Sequence, residues 1–151
     1  MVIDSSTEFG KRVEQRLRDE QIGWIVTVGT DGTPQPSPVW FLWDGSEIFL
    51  RSQPDTKVRN IQRNPRVALH LDGDGRGGDI VVLTGTAHVE LAAPEPPAAY
   101  VTKYQDGVKR LGMTPEALMS QFSVAIHITP AKVRGHWRRR RPAVVGGARR
   151  R

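Results

Sequence analysis

The residues best placed to bind a ligand fall between Pro34 and Pro65. Pro34, Pro36 and Pro38 alternate along T-P-Q-P-S-P-V-W-F-L-W, so their missing N–H groups fall on one side of a strand. That side offers carbonyl acceptors without donors, and it pairs poorly with a neighbouring strand. A planar ligand with a ring N–H can use those carbonyls instead. Further on, Arg51-Ser52 ends a second strand and Thr56-Lys57 opens a helix. Helix N-termini attract phosphate through free N–H groups and the helix dipole, and the Lys, Ser and Thr side chains add charge and hydroxyl donors. A face for a flat ring beside a socket for a phosphate is the pattern of a flavin-like cofactor site. The bland alternative treats Arg51, Lys57 and Arg59 as surface charges. In the same way Trp40, Phe41, Leu42 and Trp43 can be core, at least two of them because strand faces alternate. Residue types alone leave both readings open.

The elements that must position these residues are legible in order. Ser5-x-x-Glu8 is a capping-box pattern, and Phe9, Val13 and Leu17 follow at spacing four, predicting a helix from about Ser6 to Glu20. Trp24 to Val28 is a β-branched strand, turned at Gly29–Thr33 into the proline strand, which Asp44-Gly45 turns again into Glu47–Ser52. The helix Thr56–Arg63 buries Val58 and Ile61 and stops at Asn64-Pro65. Strands follow at Arg66–Leu71, Ile80–Thr84 and Thr86–Leu91, with Gly85 as a bulge or bend. Helices open at Pro94, reaching about Tyr104, and at Thr114-Pro115, and Ser123–Thr129 is a last strand with a short extended piece at Val133–Trp137. Six or seven strands, mostly hairpin-linked, with three or four short helices predict a mainly β, α+β fold: a small, mainly antiparallel β-barrel with peripheral helices.

Composition bounds the rest. A chain of 151 residues makes one domain with one core. It has no cysteine, hence no disulfide framework and no thiolate chemistry. The charged N-terminus lacks the apolar run of a signal peptide, and Val39–Trp43, the longest apolar run, is too short to span a membrane. A cytoplasmic protein without membrane partners is expected. The net charge of +6 belongs to the C-terminus, where Arg134, Arg138 to Arg141 and Arg149 to Arg151 hold eight of the 22 basic residues. Removing those eight leaves 14 basic against 16 acidic residues, a net of −2 for positions 1–133. The chain is therefore divided into a domain over 1–137 and an Arg-rich tail over 138–151. Such a tail is usually a solvated end, and its sharper readings are contact with nucleic acid or with a polyanionic ligand. No aromatic residue interleaves Arg138–Arg141, which argues against specific nucleic-acid recognition.

Several reactive constellations are missing. Gly73, Gly75 and Gly78 satisfy G-x-G-x-x-G, but the β-branched run Ile80–Thr84 follows where a dinucleotide motif needs a helix. His70, His88, His127 and His136 show no H-x-H or H-E-x-x-H spacing, so no metal site is expected. There is no G-x-S-x-G and no paired carboxylate near the candidate site, so no side chain is nominated as catalytic. Binding groups without reacting groups point to chemistry carried by a cofactor.

The order P-x-P-V-W-F, a strand ending in R-S, T-K-V-R-N-I-x-R-N-P-R-V-A-L and a closing I-T-P-A-K-V-R-G-H-W resembles the pyridoxamine 5'-phosphate oxidase-like split β-barrel family over roughly Phe9 to Trp137. Within it, the chain most resembles small members that use the deazaflavin coenzyme F420. The resemblance implies a homodimer with cofactor sites at the subunit interface. It implies phosphate held by Arg51, Ser52, Thr56 and Lys57, a ring against the backbone of Pro38, Val39 and Trp40, and Trp137 near the interface. The implied activity is F420-dependent reduction of a small electron-poor organic molecule. FMN in the same barrel, or a non-catalytic cofactor-binding protein, are the alternatives. An oligoglutamate tail on the deazaflavin would need basic residues, for which Arg59 and the 138–141 run are the candidates. The extra basic C-terminal substrate segment of true pyridoxamine-phosphate oxidases is not recognisable, which argues against oxidation of a vitamin B6 phosphate.

Overall fold

The computed structural model describes residues 2–138, so the Arg-rich tail beyond Arg138 lies outside the described residues. Seven strands, β1 (Gly23–Val28), β2 (Pro34–Val39), β3 (Leu42–Trp43), β4 (Ile48–Ser52), β5 (Arg66–His70), β6 (Ile80–Glu90) and β7 (Val124–His136), form one antiparallel sheet. Four helices accompany it: α1 (Glu8–Asp19), α2 (Thr56–Arg63), α3 (Ala98–Arg110) and α4 (Pro115–Gln121). This is the expected split-barrel, α+β architecture.

The strand order is β2-β1-β5-β6-β7-β4-β3. β2 and β3 are consecutive in the chain yet occupy opposite edges of the sheet. Only Trp40 and Phe41 connect them, and three residue steps span at most ~11 Å. The two edges must therefore come together, and the sheet curls into a barrel. Ile25, Leu50, Leu69, Leu83, Ile126 and Ile128 fill its interior, each at most 1% exposed. α1 adds Val13 and Leu17 to this core, and α2 adds Val58 and Ile61.

The sequence places one continuous strand over Pro34–Trp43, and the structure breaks it at Trp40-Phe41. The break is fastened by a single hydroxyl. Phe41 N–H donates to Tyr104 Oη at 2.8 Å, and that hydroxyl lies 2.9 Å from Phe41 O and 2.8 Å from Gln21 O, donating to one at a time. Burial pushes the Tyr104 phenol well above its ordinary pKa, so it keeps the proton this arrangement needs. Lys103 Nζ donates to the same Phe41 carbonyl at 2.8 Å and lies over the Phe41 ring at 4.0 Å. Its burial there pushes the ammonium pKa down to about 8.

Other boundaries shift for local reasons. α1 starts at Glu8 with Thr7 as its cap, accepting from Gly10 N–H at 2.9 Å, rather than with the Ser5–Glu8 capping box. Asp4 holds the backbone and hydroxyl of Ser6, which sets the turn two residues later. The two segments expected around Gly85 are one strand with a register shift between Thr84 and Gly85. A Cβ at Gly85 would sit 2.1 Å from Thr129 O, so only glycine allows β7 this close. The extended piece expected at Val133–Trp137 is likewise the end of β7, which stops at His136. α3 runs to Arg110, well past Tyr104, because Gly107 lets its last turns lie on the Trp40 ring. The glycine-rich loop at 73–78 is a hairpin loop, as expected, and Arg16, 5% exposed, ties it to α1 through the carbonyls of Asp72 and Asp79.

Replacing Tyr104 with Phe removes the acceptor of a buried N–H and should cost about 1–3 kcal/mol. Urea denaturation measures this, and an unchanged midpoint would mean the Trp40-Phe41 link is held by packing alone.

Candidate functional site

β2 is an edge strand bonded on one side to β1, with Trp24↔Pro38, Val26↔Pro36 and Val28↔Pro34 as register partners. A proline has no N–H to give the ladder, so Gln35, Ser37 and Val39 carry the pairing. The carbonyls of the three prolines face away from β1. The donor-free edge expected from the sequence is therefore real, and β1 pairs with the other side of the strand.

α2 lies beside this edge because of a buried side-chain bridge with no local signature in the sequence. Asn60, 2% exposed, donates through Nδ2 to Thr27 Oγ1 at 3.1 Å and to Gln35 Oε1 at 2.7 Å. The start of the helix is thereby brought to the proline strand. Lys57 Nζ lies 3.2 Å from Ser52 Oγ and 2.6 Å from Asp55 Oδ2. Asp55 stands at the N-cap position without a side-chain capping bond, its carboxylate turned to Lys57 instead.

A cavity of about 340 Å³ opens between the β2 edge, the end of β4 and the α3–α4 region. Pro38, Val39, Trp40, Arg51, Ser52 and Lys57 line it, together with Ile22, Tyr100, Leu111, Leu118, Met119 and Phe122. Six of the nine residues nominated from the sequence thus share one pocket. Thr56 lines an adjoining depression with Thr27, Gln35, Pro36, Ser37 and Asp55, and Lys57 belongs to both. Arg59 is exposed and donates to Thr56 Oγ1 at 3.2 Å, outside the cavity lining. Trp137 is also absent from the lining; its ring packs under the Arg12 guanidinium at 5.6 Å, on α1.

Arg51 behaves differently from a free phosphate ligand. It is 7% exposed and donates to three backbone carbonyls: Phe122 O through Nε at 2.8 Å, Pro94 O at 2.7 Å and Met119 O at 3.3 Å. Burial lowers its pKa, and Tyr100 and Glu90 nearby oppose that shift. Its guanidinium fastens the segment before α3 and the end of α4 to β4, and so builds one wall of the pocket. The apolar part of that wall, Leu118, Met119 and Phe122, was not nominated from the sequence. Tyr100, also missed, is 4% exposed with its phenol pKa pushed up to about 12 by burial. The spacing of Tyr100 and Tyr104 on one helical face was the available signal.

The lining can hold a flat, largely apolar body against acceptor carbonyls, with one ammonium and one hydroxyl at its end for an anion. Among the described residues lining it there is no acid–base pair. Replacing Arg51 with Met should lower stability by about 1.5–3 kcal/mol through the orphaned carbonyls, and Lys should not rescue it because a point charge cannot serve three acceptors. Loss of ligand affinity with an unchanged denaturation midpoint would instead make Arg51 a direct ligand.

Residues 9–137 match the pyridoxamine 5'-phosphate oxidase family. The fold is similar to that of an F420 reductase at 24% identity, covering 80% of this chain and 94% of that one, with a TM-score of 0.59. A conserved hypothetical protein of Mycobacterium tuberculosis is similar at 23% identity, 85% and 82% coverage and a TM-score of 0.60. A Clostridium acetobutylicum protein related to general stress protein 26 of B. subtilis is similar at 19% identity, 87% and 88% coverage and a TM-score of 0.60. With that match over most of its length and a split-barrel sheet to go with it, the chain belongs to the pyridoxamine 5'-phosphate oxidase family, whose oxidoreductases bind flavin or related cofactors.

Proposed function

We propose that this protein is a deazaflavin-dependent reductase that uses coenzyme F420 to reduce a small electron-poor organic acceptor. The observation carrying the reading is one pocket in which the donor-free carbonyl edge of β2 meets Lys57 and Ser52. The residues fit such a group. Pro38 would accept from its ring, Val39 would lie against it, Trp40 and the α4 side chains would cover it, and Lys57, Ser52 and the adjoining Thr56 would take its phosphate. Asp55 must then give up its hold on Lys57. The likeness in fold to an F420 reductase supports the choice of deazaflavin. FMN, the alternative within the family, would use the same socket.

When bound, a deazaflavin supplies a hydride to an alkene, imine or similar acceptor. The protein's own part is to bind, orient and exclude water. Tyr100 keeps its phenol proton throughout the neutral range and can hold it beside the pocket. A homodimer belongs to this proposal. Leu111 and Ile22, 57% and 37% exposed, stand on the pocket lining and leave apolar surface for a second copy to cover. Trp137 and Arg59, which do not reach the pocket of their own chain, would approach the site across such an interface.

Titrating the protein with F420 and with FMN, followed by fluorescence at moderate salt, tests the proposal directly. Tight binding of F420 alone is expected, and preference for FMN would replace the deazaflavin reading. Lys57→Ala should weaken binding more than about tenfold, the loss of a charge-assisted contact of roughly 1.5–3 kcal/mol. An unchanged dissociation constant would remove Lys57 from the socket.

The oligoglutamate tail of F420 would be received by Arg59 or the 138–141 run. Deleting residues 138–151 should therefore lower F420 affinity and flatten its salt dependence. If neither changes, the tail has no part in binding.

A further inference from the structure

The outward face of the sheet carries a second group of side chains that the cofactor pocket does not use. Phe49 on β4, His127 on β7 and His88 on β6 are register partners across three adjacent strands. Glu90 stands two residues beyond His88 on β6 and so projects from the same face. The imidazoles of His88 and His127 stack with centroids 4.6 Å apart and planes within 5°. Glu90 Oε1 lies 2.5 Å from His127 Nε2. Phe49 meets the His127 ring edge-on at 5.5 Å and backs the group with an apolar wall.

We propose that His88, Glu90 and His127 form a binding site for a divalent metal ion of the zinc class. One ligand atom from each of the three lies within 4.8 Å of the others. Tetrahedral zinc with bonds of about 2.0–2.2 Å needs its ligands ~3.4 Å apart. Small side-chain rotations would bring the three atoms to that spacing, since all three residues stand on one face of the paired strands β6 and β7. Two imidazoles and one carboxylate suit zinc, cobalt or nickel over calcium or magnesium, which prefer all-oxygen shells. A cation there would also satisfy the Glu90 carboxylate and both imidazole lone pairs together. His88 is exposed, so a fourth position stays open to water or to a ligand from another molecule. Motif spacing does not show this site because its ligands come from two strands far apart in sequence. The only local trace is His-x-Glu at 88–90, which shares a face only if that segment is a strand.

The test is a titration of untagged full-length protein with zinc in competition with a chromogenic chelator, and with cobalt followed by its visible ligand-field bands. One zinc per chain and a tetrahedral cobalt spectrum are expected. His88→Gln and His127→Gln should each weaken zinc binding by at least about tenfold, and Glu90→Gln by about tenfold. His70→Gln, His136→Gln and Lys57→Ala should leave it unchanged. Zinc should also raise the melting temperature of the wild-type protein and not that of the His88→Gln/His127→Gln double variant, whose metal-free melting curve serves as the folding control. Equal zinc binding by the double variant, a dependence on His70 or His136, or no binding by the wild-type protein would overturn the proposal.

Discussion

Two residues have to join opposite edges of a seven-stranded sheet, and most of the structure follows from that constraint. Trp40 and Phe41 are too few to cross an open sheet, so the sheet must curl until β2 and β3 approach. Once curled, both faces of the link need partners. Phe41 turns inward and is completely buried, while Trp40 stays outside, stacked on Tyr104 at 4.6 Å with the rings nearly parallel. The Tyr104 hydroxyl then satisfies Phe41's backbone. α3 is held by the same ring and hydroxyl, so the helix that covers the pocket is positioned by the feature that closes the barrel.

The pocket is a consequence of that closure. Its floor is the proline edge of β2, which cannot take another strand, and its roof is the α3–α4 region fastened by Arg51 to three carbonyls. A buried arginine used in this way is a structural clamp whose charge still reaches the cavity. Lys57 is the more available cation, since its partners are a hydroxyl and a carboxylate at the cavity wall rather than a set of buried carbonyls. Asp55 is therefore the local opponent of any anion that enters. The difference between a framing arginine and a more available lysine follows from their chemistry: a planar fork serves several fixed acceptors, and a point charge on a flexible stem can change partners.

The His88–Glu90–His127 group stands next to that clamp. Arg51, Ala125 and Glu90 are aligned across β4, β7 and β6, one row from Phe49, His127 and His88. The field of Glu90 contributes to holding Arg51 in its charged form. Long paired strands thus put the two groups on one face, although their residues are distant in the chain.

Local chemistry in the sequence determined a great deal. Proline at every second position dictated an edge strand with a bare carbonyl side. Thr114-Pro115 dictated where α4 begins, with Thr114 Oγ1 accepting from Ala117 N–H at 3.1 Å, and the Thr56–Arg63 helix with Val58 and Ile61 inward was legible from its own periodicity. Six of the nine nominated binding residues came together because they lie on elements joined by short turns. What remained for tertiary structure was everything set by partners far away in sequence. The break at Trp40-Phe41 needed Tyr104, the placement of α2 needed Asn60 to reach Thr27 and Gln35, and the role of Arg51 needed the carbonyls of residues 94, 119 and 122. Such pairings leave no local period or motif, because hydrogen-bond complementarity between distant segments exists only after the chain has folded.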